Sequence, residues 1–209
     1  MNSLPPRIYL ASQSPRRREL LTQIGVQFDV LLFRGDPRHD PETLEEVIPG
    51  EAPDAYVCRV AHAKAAHGLK LIKERGLIAR PVLAADTTLD LEGEIIGKPR
   101  DETEAIAILR RLSGRAHSVL TAVAVAVWQQ GEPRVEHVLS VSEVRFRMLR
   151  EDEILRYVHT GEPMDKAGAY GIQGRAAMFV TAIRGSHSGI VGLPLCETTL
   201  LLRQFGYPL

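Results

Sequence analysis

Val82-Leu83-Ala84-Ala85-Asp86-Thr87-Thr88-Leu89-Asp90-Leu91, then a turn at Glu92-Gly93-Glu94, then Ile95-Ile96-Gly97-Lys98-Pro99, is the stretch from which the rest of this chain can be read. An unbroken apolar run bounded by turn residues predicts a buried strand. It delivers an aspartate at its end, and a lysine returns twelve residues later across a hairpin. Open α/β sheets collect ligands at the carboxyl ends of their strands, so Asp86 and Lys98 are the first candidates for a site handling metal and phosphate. The plainer reading of Asp86 is a cap over the turn at Thr87-Thr88. Against it, a carboxylate ending so apolar a run would cost free energy if buried unpaired, and a metal ion, a lysine or a reacting water would offset that cost.

Working outward, Asp54 to about Glu74 reads as a helix with Tyr56, Val60, Ala63 and His67 on one face and Lys64 at its edge. Ahead of it, Arg34 to Ala52 is rich in Pro, Asp and Glu without apolar period, an exposed loop over the cleft. The chain opens with a strand over Arg7 to Ser12. A helix follows with Ser14 as N-cap, Pro15 at its first position and Gly25 closing it, then a second strand over Phe28 to Phe33. Beyond Lys98 come an amphipathic helix over Asp101 to Leu112 and a hairpin of long strands, Ser118 to Trp128 and Val138 to Phe146. A short helix over Glu151 to His159, a strand over Met178 to Ile183 and a last helix from Pro194 to about Phe205 complete the pattern. Strands alternating with helices predict an α/β fold.

Composition narrows the function classes. The 209 residues are 44% hydrophobic, enough for a full core. Lys plus Arg equal Asp plus Glu at 26 each, so no overall field recruits nucleic acid or an anionic membrane, and any anion site must be built locally. Five Phe, five Tyr and one Trp also speak against a base-stacking surface for RNA or DNA. The first apolar stretch is too brief for a signal segment or a membrane span, which makes the cytoplasm the expected location. Cys58 and Cys196 lack the clustered spacing of a zinc site and read as packed thiols.

Two further clusters carry chemistry. Leu10-Ala11-Ser12-Gln13-Ser14-Pro15-Arg16-Arg17-Arg18 joins a strand to a helix start whose first turn is basic. Cations there oppose the helix dipole and cost stability unless an anion compensates, and guanidinium forks suit phosphate oxygens. A solvated basic turn is the alternative. Lys64, like most helix lysines, gains interest only beside these clusters. The second cluster, Gly161 to Gly174, holds four glycines with Asp165, Lys166 and Gln173; so permissive a loop admits close backbone approach to a ligand, and Gln173 has the donors and acceptor to read the edge of a planar base. No H-E-x-x-H, P-loop or G-x-G-x-x-G pattern occurs.

Taken together, LASQSPRRRELL, AADTTLDLEGEIIGKPRD, LSGRAHSVLTAVAV, GEPMDKAGAYGIQGRAAMFV and GSHSGIVGLPLCET resemble, in sequence and order, the Maf family of nucleoside triphosphate pyrophosphatases. The resemblance implies a mixed, twisted sheet flanked by helices, one domain over residues 1–209 whose two lobes share that sheet around a cleft, and a homodimer. It implies hydrolysis between the α and β phosphates, giving a monophosphate and pyrophosphate with a divalent cation, Mg or Mn. Asp86 then takes the role of proton acceptor and metal ligand, Ser12, Arg16, Arg17, Lys64 and Lys98 contact phosphate, and Arg16, Thr87 and Gln173 select the base. The form of the Asp165 to Gly174 loop resembles the subgroup acting on dTTP and UTP. Many members carry an Asp-Glu pair after the second strand; the corresponding stretch, Asp36-Pro37-Arg38-His39-Asp40-Pro41-Glu42, has none, which leaves Asp36, Asp40 or Glu42 as the candidate second carboxylate. A competing expectation is a nucleotide-binding regulator of septum formation with little turnover.

Overall fold

The computed structural model describes residues 6–33 and 44–209. Asp36, Asp40 and Glu42 lie outside the described residues. The described strands form one seven-stranded sheet: β1 (Arg7–Leu10), β2 (Gln27–Val30), β3 (Val82–Leu91), β4 (Glu94–Ile96), β5 (Ala116–Gln129), β6 (Glu132–Phe146) and β7 (Val180–Arg184). The spatial order is β2-β1-β3-β5-β6-β7, with β4 added to β3. β1 runs parallel to β2 and β3, and the remaining pairs are antiparallel, so the sheet is mixed as expected. The helices are α1 (Pro15–Gln23), α2 (Pro53–Glu74), α3 (Glu102–Leu112), α4 (Glu151–Val158), α5 (His187–Val191) and α6 (Leu195–Gln204). Short 3₁₀ turns occupy the glycine-rich segment after α4.

The organising feature is an interruption beside β3. Its β5 edge is paired without a break from Val82↔Ala126 to Asp90↔Ser118. On the opposite edge, β1 reaches only Leu10↔Leu83, with a last bond from the Ala11 N–H to the Leu83 carbonyl, and β4 begins at Leu89↔Ile96. Between them the sheet is split, and Asp86 and Thr87 stand in the split. A strand that loses one neighbour before gaining another creates the crevice at which open sheets bind ligands.

Side chains alternate across β3. Ala84 faces α2, where Val57, Val60, Ala61, Ala65, Leu69 and Ile72 form one core with Ala122, Ala124 and Ala126 of β5. These alanines permit close helix approach, and Gly68 completes it: a Cβ there would meet Val82 Cγ1 at 2.8 Å. The buried face of α2 therefore runs through Val57, Ala61, Lys64 and Gly68. Lys64 lies within that face, not at its edge, because packing centres on Gly68, one turn away. Leu83 and Ala85 face the other way, into a core with Ile8, Leu10, Leu20, Leu21, Leu201 and Leu202. A third core, around Leu89, Leu109, Phe146, Tyr157 and Phe179, joins α3 and α4 to the far end of the sheet.

His117, on β5, is 3% exposed, bonded through Nε2 to the Tyr170 hydroxyl at 2.8 Å and edge-on to Phe146. Burial lowers its pKa to about 4. Since the unfolded chain takes up this proton near pH 6.5 and the folded one only near 4, the unfolded state binds more protons between these values, and stability falls as pH drops through that window. Comparing denaturant unfolding of wild type and His117→Gln should show an extra slope of about 1.4 kcal/mol per pH unit in the wild type; parallel curves would refute a buried neutral histidine.

Candidate active site

Asp86 and Thr87, consecutive on β3, point to opposite faces and found two linked clusters. On the α2 face, Lys64 Nζ donates to Asp86 Oδ1 at 2.8 Å and to Glu45 Oε1 at 2.5 Å, and Lys98 Nζ approaches Glu45 Oε2 at 3.4 Å. Lys64 and Asp86 side chains are each 10% exposed, Glu45 30% and Lys98 57%. Burial pushes the Glu45 carboxyl up, but the charge and hydrogen bond of Lys64, with Lys98, more than offset this and hold it below the ordinary range. Lys64 is delivered by the close packing of α2, and Lys98 by the β3–β4 hairpin, so the pairing of Asp86 with Lys98 read from the sequence is realised through Glu45.

Glu45 is the residue the sequence reading missed. The sequence offers Asp36, Asp40 or Glu42, all outside the described residues, as the second carboxylate; Glu45, three residues beyond Glu42, stands against the Asp86–Lys64 pair. Nothing periodic marks it, and residues 46–50 that follow it form no helix or strand. Arg59, whose guanidinium bonds to Glu51 and to the carbonyls of Leu44 and Glu46, anchors this segment to α2 around Glu45.

On the opposite face, Arg17 donates from Nε to the Gly192 carbonyl at 2.8 Å, from Nη1 to Ser12 Oγ at 3.4 Å and from Nη2 to Thr87 Oγ1 at 3.2 Å. Burial lowers its pKa, partly countered by the charges of Asp86 and Glu45, while Arg16 acts with burial; the two clusters share one electrostatic environment. Ser14 is the N-cap of α1, as expected, but its side chain caps nothing, and the Ser14 N–H donates to Ser12 Oγ at 3.2 Å. Among the described residues no side chain caps the first-turn amides, which suits them to an external acceptor. Arg16 pairs with Asp165 at 3.6 Å, linking α1 to the glycine-rich loop.

That loop is organised by Glu162, which the sequence reading did not single out. Its carboxylate accepts from the Tyr157 hydroxyl at 3.0 Å and the Arg175 N–H at 3.1 Å, and its carbonyl accepts from Lys166 Nζ at 2.6 Å. A Cβ on Gly174 would lie 2.1 Å from Glu162 Oε1, so a larger residue there would displace the Glu162 carboxylate from these partners. Gln173 is thus presented, exposed, in a turn closed by the Gly174 N–H to the Gly171 carbonyl. Among the described residues no hydrogen bond joins it to another candidate residue. Glu162→Ala is expected to loosen this turn and lower kcat/KM by about 100-fold, mainly through KM, because misplacing a positioning loop by about an ångström has such an effect; unchanged steady-state kinetics would refute the clamp.

Among the described residues no cluster of three or more His, Cys, Asp or Glu side chains forms a ready metal cage, and no helix is long and apolar enough to cross a membrane. What the site offers is a pair of hard oxygen donors, Asp86 and Glu45, facing arginines and lysines.

A family model described as "Maf-like protein" matches residues 7–205. The chain is 60% identical over 201 residues to a dTTP/UTP pyrophosphatase of Dechloromonas aromatica, spanning 96% of this chain and 98% of the relative. It is 59% identical to the protein of that name from Aromatoleum aromaticum over the full length of both. With the one from Ralstonia nicotianae the identity is 58%, over 95% and 94% of the two chains. A split sheet with Asp86 in the gap, the basic start of α1 and the Glu162-clamped loop are thus held within a sequence matched from β1 to the end of α6, and the chain belongs to the Maf family.

Proposed function

We propose that this protein hydrolyses dTTP and UTP to the monophosphate and pyrophosphate. The observation that carries this reading is Asp86 at the sheet split, paired to Lys64 through Oδ1 while Oδ2 has no donor among the described residues. One carboxylate oxygen fixed and the other open is the equipment of an oriented general base. Water attacks the α phosphorus, its proton passes to Asp86, and the bond to the bridging oxygen breaks with the electron pair leaving on pyrophosphate. Arg16, Lys64 and Lys98 neutralise the phosphates. Arg17 keeps its second proton on each terminal nitrogen for an anion oxygen while Nε anchors it, and the free amides of the α1 start supplement it.

Asp86 and Glu45 fit a hard divalent cation, since Mg²⁺ and Mn²⁺ take carboxylate oxygens together with substrate phosphates. A bound cation would supply charge neutralisation at the α-phosphoryl oxygens and the leaving group. With the nucleotide across the split, Thr87, Arg16 and Gln173 select the base. The remaining parts of the reading, a cytoplasmic homodimer of two lobes sharing one sheet that binds neither nucleic acid nor membrane, are supported by the family resemblance and the balanced charge. A septum-formation regulator with little turnover is not favoured: such a role has no use for a base with one oxygen left open. The test is a panel of nucleoside triphosphates with Mg²⁺, scored for pyrophosphate against orthophosphate. Pyrophosphate from dTTP and UTP is the expected result; orthophosphate would place attack at the γ phosphate and refute the reading.

A further inference from the structure

Thr121 of β5 lies directly opposite Thr87 in the sheet and is fully buried. Its hydroxyl donates to the Gly189 carbonyl at 2.8 Å and lies 2.9 Å from Thr87 Oγ1. A hydroxyl has one proton and two lone pairs, a carbonyl only accepts and a guanidinium only donates. The polarity of the chain is therefore forced from both ends. Gly189 takes the Thr121 proton, so Thr121 can only accept from Thr87, and Thr87 spends its own proton there. Arg17 Nη2, at 3.2 Å, fills one Thr87 lone pair. Thr87 is partly exposed, and what it can still offer a ligand is one lone pair. The Gly189 carbonyl is held by α5, where its second lone pair takes the Gly192 N–H at 2.9 Å and Ser186 caps the helix through the Gly189 N–H at 3.0 Å.

We propose that Thr121 is a specificity-determining positioning residue: by taking up the Thr87 proton it makes Thr87 an acceptor only, so the site takes bases that present an N–H, the imide of uracil or thymine, and disfavours cytosine, whose ring nitrogen at that place is itself an acceptor. This rests on the reading above in which Thr87 faces the base. Two acceptors face to face leave both unsatisfied on desolvation, and this repulsive element is what makes such a contact selective. Without Thr121 the Thr87 hydroxyl is free to rotate its proton toward the ligand, and the discrimination relaxes.

The experiment compares kcat/KM for UTP and CTP in wild type, Thr121→Val and Thr121→Ser, with N3-methyl-UTP as a third substrate for the wild type. Expected are a wild-type preference for UTP, a UTP/CTP ratio narrowed about tenfold in Thr121→Val, a ratio restored in Thr121→Ser, and poor turnover of N3-methyl-UTP, which needs no variant. An active Thr121→Val with the wild-type ratio, a loss shared equally by both nucleotides, or wild-type turnover of N3-methyl-UTP as fast as of UTP would each overturn the proposal. A wild type that releases pyrophosphate from no nucleotide would instead overturn the reading on which it rests, and the proposal with it.

Discussion

Asp86→Asn is expected to lower kcat by about 10²–10⁴-fold, the usual contribution of a positioned base, with KM changing far less. Asparagine keeps the shape and one acceptor oxygen, so Lys64 still has a partner at the former Oδ1, and it has Glu45 as well. Folding should therefore survive, and the loss should fall on the chemical step. The amide cannot take the water's proton and is a poorer cation ligand than the carboxylate. Added Mn²⁺ separates these losses: a weakened cation ligand is offset by a higher metal concentration, whereas a missing base is not. A kcat within threefold of wild type in a folded Asp86→Asn would remove Asp86 from the mechanism.

The residues that made this site legible in the sequence are those whose chemistry conflicts with their local setting. Asp86 ends an apolar run, and Arg16 and Arg17 sit where a helix start disfavours cations. Both conflicts resolve in the structure: Asp86 against Lys64, and Arg17 against Gly192, Ser12 and Thr87. Lys64 itself carried no such signal, because whether a helix lysine is solvated or buried depends on how closely the helix approaches its sheet. That distance is set by Gly68 and by alanines of β5 remote in sequence. Glu45 and Glu162 were hidden for a related reason. Each acts from a turn or a four-residue 3₁₀ segment, too short to carry a period that can be read. The five-residue α5 went unseen likewise; Gly189 and Gly192 argue against a helix locally, and its partners Thr121 and Arg17 come from other elements.

Lys64→Met tests the electrostatic design more severely than any change to the base. The ammonium lies between Glu45 and Asp86, and methionine retains the bulk of the stem while leaving two carboxylates facing one another. Removing one partner of a buried pair costs about 3–5 kcal/mol, and the lower end applies because Glu45 retains solvent and Lys98 beside it. For a chain of this size about 3 kcal/mol is roughly 6–12 °C in Tm. The pH dependence should oppose that of the wild type. In the wild type the Glu45 carboxyl is held below its unfolded value, so its stabilisation is present above the unfolded pKa and lost as pH falls through the folded one. In the variant the facing carboxylates raise one folded pKa above the unfolded value, so stability is regained as pH falls toward about 4 and lost as it rises. The two melting curves should converge in acid. Mg²⁺ at neutral pH should raise the Tm of Lys64→Met more than that of the wild type, because in the wild type a cation competes with the ammonium, whereas in the variant it relieves an unpaired repulsion. A variant as stable as wild type at pH 7 would show that solvent screens the trio. A destabilised variant indifferent to Mg²⁺ would show that Asp86 and Glu45, though close, do not form a cation site without the nucleotide's own phosphates.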